Sequence, residues 1–151
     1  MNGVQTKNAA LTTALAFHYQ VLIGLDKCMA LEDGESVWFE TDGDVSLVSP
    51  YAVTSTQTEV KDYADRLTDH HENLWKTLKN WLAPEFDHLQ YGVLVLHTTQ
   101  TFGVTTRLHN WNTQTAVQRF AVLQAIFAER TDEQLSTEKP SKIIKLQKYV
   151  M

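Results

Sequence analysis

The sequence predicts an α/β fold, a mixed central sheet flanked by helices, in the order helix, hairpin, strand, helix, strand, helix. Three observations predict it. Two short alternating runs meet at Asp42-Gly43, and glycine accepts the positive φ that tight hairpin turns need. A third alternating run, Thr58 to Tyr63, precedes a capped amphipathic segment from Asp69 to about Leu82. After Pro84 comes Tyr91-Gly-Val-Leu-Val-Leu96, a continuous apolar run of the kind a strand covered on both faces carries.

Taken in order, residues 8 to 30 place Leu11, Leu15, Tyr19, Leu22, Leu25 and Met29 on one stripe. That spacing gives an amphipathic helix with its apolar side toward a core. Glu32-Asp33-Gly34-Glu35 is a turn. From Ser36 to Glu40, Val37 and Phe39 share one side; from Asp44 to Val48, Val45 and Leu47 share one side and Asp44 and Ser46 the other. Pro50 ends that strand because proline cannot donate to a ladder. In the third strand Glu59, Lys61 and Tyr63 fall on one face, which puts Glu59 and Lys61 roughly 6.6 Å apart at about 3.3 Å per residue. Asp69 reads as the cap of the next helix, with Glu72 three residues on. Leu74, Trp75, Leu78, Trp81 and Leu82 form its apolar stripe. Strand, helix and strand then make a βαβ unit, expected to be parallel and right-handed. A last helix spans about Thr113 to Arg130, with Val117, Phe120, Leu123 and Phe127 on its core side.

The 151 residues, 43% apolar, suffice for one core. Residues 1–130 are therefore read as one domain. Residues 131–151 are read as a loose linker leading into a helix with nothing after it to pack against, as in the front module of a longer chain. No run of apolar residues is long enough to span a membrane, and MNGVQTKNAA lacks the layout of a secretory signal. One cysteine, Cys28, excludes an internal disulfide and suits a reducing cytoplasm.

The net charge of −5 argues against a protein that coats nucleic acid through a basic surface. The acid is concentrated, however. Between Lys27 and Lys61 there is no Lys, Arg or His, while Glu32, Asp33, Glu35, Glu40, Asp42, Asp44 and Glu59 fall there. Carboxylates that converge must be relieved by protonation or by a cation.

An aspartate opening one strand and Glu59-x-Lys61 on the next resemble the core of the PD-(D/E)xK nucleases. Leu67-Thr68-Asp69, Asn73-Leu74-Trp75-Lys76-Thr77-Leu78 and Asn80-Trp81, with Tyr19-Gln20 and Phe39-Glu40, are similar to the Cap-type double-stranded-DNA endonuclease effector domain of bacterial anti-phage proteins. The likeness covers roughly residues 12 to 125. It departs in two places: no proline precedes Asp44, and relatives often carry Gln where this chain has Glu59. The resemblance implies a restriction-endonuclease-like αβββαβ core and Mg²⁺-dependent hydrolysis of DNA phosphodiesters, with Mn²⁺ able to substitute. It also implies self-association and a sensor, ATPase region or partner protein that controls cutting.

The chemistry is consistent with that assignment. A hard cation that keeps several waters needs one or two carboxylates, here Asp44 and Glu59, with the Val60 carbonyl as a third ligand. Lys61 can orient or deprotonate a water and offset charge on the phosphate. Glu40 is a candidate second-sphere or second-metal ligand, Gln20 a candidate for orienting water, and Lys76, Lys79 and Arg107 candidates for phosphate contact. Other readings stay open. Glu59 and Lys61 also suit a plain cross-strand ion pair, and the fold also suits a silent oligomerisation module or a nuclease acting on RNA. Asp69-His70-His71 resembles a manganese phosphoesterase motif whose companion acidic motifs are missing here.

Overall fold

The computed structural model describes residues 3–151, and side chains from Ala10 onward; of the segment MNGVQTKNAA, residues 1–2 and the side chains before Ala10 lie outside the described residues. The chain divides into two compact units. The first comprises residues 1–64 and 85–99, the second residues 65–84 and 100–151. Among the described residues no helix is long and apolar enough to cross a membrane.

The first unit holds α1 (Gly3–Met29) and a four-stranded sheet: β1 (Ser36–Phe39), β2 (Val45–Val48), β3 (Thr56–Lys61) and β4 (Val93–Thr98), in that spatial order. β1, β2 and β3 are antiparallel neighbours, and β3 and β4 are parallel, with Glu59 beside Leu96 and Val60 beside His97. The α/β class and the mixed sheet therefore match the sequence reading, as does the parallel pairing of β3 with β4. β4, however, is an edge strand, not a central one, and Val93 is half exposed. Its apolar run is hydrophobic all round yet has a strand on one side only.

α1 differs more. It lies against β1, β2 and β3, but its inward positions are Gln20 and Gly24, whereas Leu11, Leu15, Leu22, Leu25 and Met29 are exposed. Gly24 lets helix and sheet approach closely: a Cβ there would lie 2.1 Å from the Phe39 ring. Close approach, not leucine packing, selects the inward face.

The second unit contains α2 (Glu72–Trp81), α3 (Ala116–Phe127), α4 (Asp132–Ser136) and α5 (Lys142–Val150). Leu74 and Trp75 are buried as expected, but Leu82 is half exposed. The cap of α2 is His71, whose Nδ1 accepts from the Asn73 amide at 3.1 Å. Asp69 is engaged elsewhere, accepting from the Thr106 hydroxyl at 2.6 Å and the Arg107 amide at 2.8 Å. In α3 the buried residues are Leu123 and Ile126, with Val117 and Phe120 outside, so the buried face is rotated from the predicted one. α5 is not without a partner. It packs on α2, burying Ile144, Leu146 and Gln147. Residues 131 to 136 are ordered by a capping box at Thr131 and Gln134.

Candidate active site

The first unit brings Asp44, Glu59 and Lys61 together. β2 ends at Val45, paired with Thr58; beyond it Asp44 takes the strand's place at the edge of β3, its Oδ2 accepting the Val60 amide at 2.6 Å. Strand alternation turns the Val60 carbonyl to the same side, since the Lys61 carbonyl faces β4, accepting the Thr99 amide. Lys61 Nζ lies 3.0 Å from Glu59 Oε2 and 3.4 Å from Asp44 Oδ2. Glu59 is buried, and its Oε1 also accepts from Gln57 Nε2 at 3.3 Å.

Burial alone would lower the Lys61 pKa, but the Glu59 and Asp44 carboxylates outweigh it and hold the ammonium above the ordinary lysine value. As it stands in this pocket, Lys61 is charged at neutral pH. A charged Lys61 suits orienting a water and offsetting charge on a phosphate.

Gln20 and Glu40 also reach this edge. Gln20 Nε2 donates to the Asp44 carbonyl at 2.9 Å and to the Glu40 carboxylate. Glu40 has φ 54°, and its amide closes the loop on the Asp44 carbonyl at 3.2 Å. A left-handed conformation at a non-glycine residue is a local strain; here the Gln20 contact and the loop closure hold it. Gly43, with φ 134°, lies directly over β3: a Cβ there would be 1.9 Å from Gln57 Nε2 and 3.0 Å from Glu59 Oε1.

Two supports had no signal in the sequence. Tyr91 donates from its hydroxyl to Asp42 Oδ2 at 2.8 Å, its oxygen lies 3.4 Å from Ser46 Oγ, and its ring stacks on Phe86. Tyr91 had read only as the first residue of an apolar run. Tyr19 and His97 are bonded at 2.9 Å, linking α1 to β4. Neither pairing is visible from spacing, because each joins residues far apart in the chain.

The donor set can be weighed against Mg²⁺, the metal the resemblance implies. Among the described residues Asp44 Oδ1 has no hydrogen-bond partner, and the Val60 carbonyl points to the same side of β3 as the amide that Asp44 accepts. Both are hard oxygen donors, and Glu59 adds a carboxylate once Lys61 shifts. Among the described residues no three His, Cys, Asp or Glu side chains form a cation cluster. Two carboxylates and a carbonyl nevertheless fit a cation that is bound by one or two carboxylates and otherwise by water.

The phosphate-contact candidates belong to the second unit. Lys76 is exposed, and Lys79 lies over the Tyr149 ring at 5.6 Å. Arg107 is tied to Glu129 and lies 3.7 Å from Asp69, so a phosphate would have to displace carboxylates to engage it. Arg107, with Asp69 and Glu129, borders a polar recess of about 290 Å³ that also includes His70 and Thr106. His70 Nδ1 receives Arg130 and Gln147, both at 3.0 Å, which leaves Nε2 to donate to Glu129 at 2.9 Å. His70 is thereby engaged on both ring nitrogens in side-chain contacts.

No family model, curated protein or solved structure matches this chain.

Proposed function

We propose that the first unit is a Mg²⁺-dependent endonuclease for double-stranded DNA, with Asp44, Glu59 and Lys61 as its working residues, serving as the effector of an anti-phage defence system. One observation carries the reading. A charged lysine, two carboxylates and a main-chain carbonyl from neighbouring strands share one edge, and among the described residues Asp44 Oδ1 has no hydrogen-bond partner there.

In this reading Asp44 Oδ1, Glu59 and the Val60 carbonyl hold the cation, which when bound polarises a phosphoryl oxygen and acidifies a coordinated water. Lys61 faces the scissile phosphate and offsets its growing negative charge. Gln20, fixed between Glu40 and the Asp44 carbonyl, keeps the loop in register and offers its amide to an incoming water. Buried Gln57 supports Glu59. Taken by itself, the second unit offers Lys76, Lys79 and Arg107 as candidates for phosphate contact, Arg107 only after leaving its acids.

Plasmid DNA incubated with the full chain and Mg²⁺ over a range of protein concentrations tests this. Wild type is expected to degrade duplex DNA, and Asp44→Ala and Lys61→Ala are expected to be inert while remaining folded. Equal cutting by the variants overturns the assignment, and parallel RNA substrates separate the two nucleic acids.

A second reading, a silent assembly module, is favoured by the internal saturation of Glu59: both its oxygens are already bonded. Calorimetry distinguishes the two. Divalent-cation binding that disappears in Asp44→Ala supports the enzyme, and no binding supports the module.

A further inference from the structure

Lys61 Nζ stands between the two carboxylates of the candidate site, 3.0 Å from Glu59 Oε2 and 3.4 Å from Asp44 Oδ2. A divalent ion on the same oxygens lies about 2.1 Å from each. The two positive charges are then close enough to repel strongly in a pocket shielded from water. Ammonium and divalent ion are therefore alternative partners of this carboxylate pair.

The packing decides which side chain gives way. Glu59 is 7% exposed, and its Oε1 accepts from Gln57 Nε2 at 3.3 Å. Gly43 passes so near that a Cβ there would lie 3.0 Å from that oxygen. Asp44 is held through Oδ2 by the Val60 amide at 2.6 Å. Lys61 has a flexible four-carbon stem, and its side chain is 18% exposed against 9% for Glu59. The carboxylates are fixed and the ammonium can swing. A partly buried charge that loses its partners is destabilised, so Lys61 leaves readily only for another anion.

We propose that Lys61 gates the cation site: it holds the Glu59 and Asp44 carboxylates until a DNA phosphate draws the ammonium away, so that cation and duplex bind cooperatively. The gate rests on the cation site of the proposed endonuclease and adds what controls access to it. Reciprocity makes the coupling measurable, because duplex must tighten cation binding by the factor by which cation tightens duplex binding. A bound cation attracts phosphate whether or not Lys61 is present. Only the share of the coupling that vanishes without Lys61 belongs to the gate.

Calorimetry of the full chain with Mg²⁺, with and without a short phosphorothioate duplex that resists hydrolysis, tests this. Without duplex, Lys61→Met is expected to bind Mg²⁺ about tenfold tighter than wild type, because one charge-assisted contact to Glu59 no longer competes. In a Glu59→Gln background the same change is expected to gain less than about threefold, since that contact is already gone. Duplex is expected to tighten Mg²⁺ binding to wild type clearly more than to Lys61→Met. Melting curves show whether each variant is folded at the titration temperature. Should Lys61→Met not be, wild type still decides, because the carbon signal of Lys61 Cε must shift as Mg²⁺ saturates. Equal Mg²⁺ affinity in wild type and Lys61→Met, or a Cε signal that saturating Mg²⁺ leaves in place, overturns the gate while the cation site stands. A gain that persists in full beside Glu59→Gln reports only the removal of a positive charge and also overturns it, as does duplex that tightens both proteins alike. Mg²⁺ binding by none of the proteins removes the cation site itself, and the gate with it.

Discussion

Lys61 keeps two carboxylates in one place, so its removal is the sharpest test at the residue scale. Lys61→Met leaves Asp44 and Glu59 facing each other without a cation, and stripping one partner from a partly buried charge cluster destabilises by about 1–3 kcal/mol. The loss should be largely reversed by millimolar Mg²⁺ if these oxygens bind it, since a ligand at a hundred times its Kd adds about 2.7 kcal/mol. Thermal melts with and without the ion read this directly; a variant that Mg²⁺ does not rescue argues against the donor set. Gly43→Ala probes the other side of the site. Its Cβ would collide with Gln57 and crowd Glu59 at a φ of 134°, so a loss of about 1–3 kcal/mol is expected, together with weakened cation binding in calorimetry. Unchanged melting and binding would mean the loop is free to shift. The sequence made Asp44, Glu59 and Lys61 legible because strand alternation fixes which side chains share a face. It could not show that Tyr91 anchors Asp42, since that bond spans 49 positions.

At the scale of elements, strands were easier to read than helix faces. The runs around Asp42-Gly43 and Glu59 were found to within two residues because period-two alternation and turn chemistry are local. Helical periodicity located α1, α2 and α3, but it does not say which neighbour is present. α1 has its apolar stripe outside because Gly24 permits close approach to Phe39 on the opposite side, and Phe120 of α3 is exposed while Ile126 is not. Likewise, α2 buries Asn73 and Thr77, which no apolar pattern marks, and leaves Leu82 half open. A paired substitution separates the two kinds of position. Trp75→Ala, at a fully buried site whose indole donates to the Asp69 carbonyl at 2.8 Å, should cost about 3–5 kcal/mol. Leu82→Ala should cost well under ~1 kcal/mol. Denaturant melts check both, and a large loss at Leu82 would mean it packs more tightly than its exposure implies.

Across the whole molecule, the two units carry opposite pH liabilities. In the first unit Lys61 is raised above the ordinary value of 10.5, the two acids outweighing its burial, and Tyr91 is raised above 10.0 by burial and by Asp42. A group whose folded pKa lies above its unfolded one binds more protons when folded. Its stabilisation is therefore complete below the unfolded value and lost as pH rises through the folded one. The second unit has the reverse case. Hydrogen bonds from His71 and Arg107 hold the Asp65 and Glu129 carboxyls below their ordinary values of 3.8 and 4.5. Their contribution is present above those values and lost as pH falls through the lowered ones. Both carboxyls are exposed, so water and salt screen the effect, and the acid response should be shallow and weaken with added salt. Methyl spectra report each unit separately, Val45 and Val60 for the first and Leu108 and Ile126 for the second. Above about pH 10 the Val45 and Val60 signals should lose native dispersion first, and Tyr91→Phe should move that onset upward by removing one of the two titrating groups. If Leu108 and Ile126 change before Val45 and Val60 on the alkaline side, the Lys61 cluster is not what limits stability there.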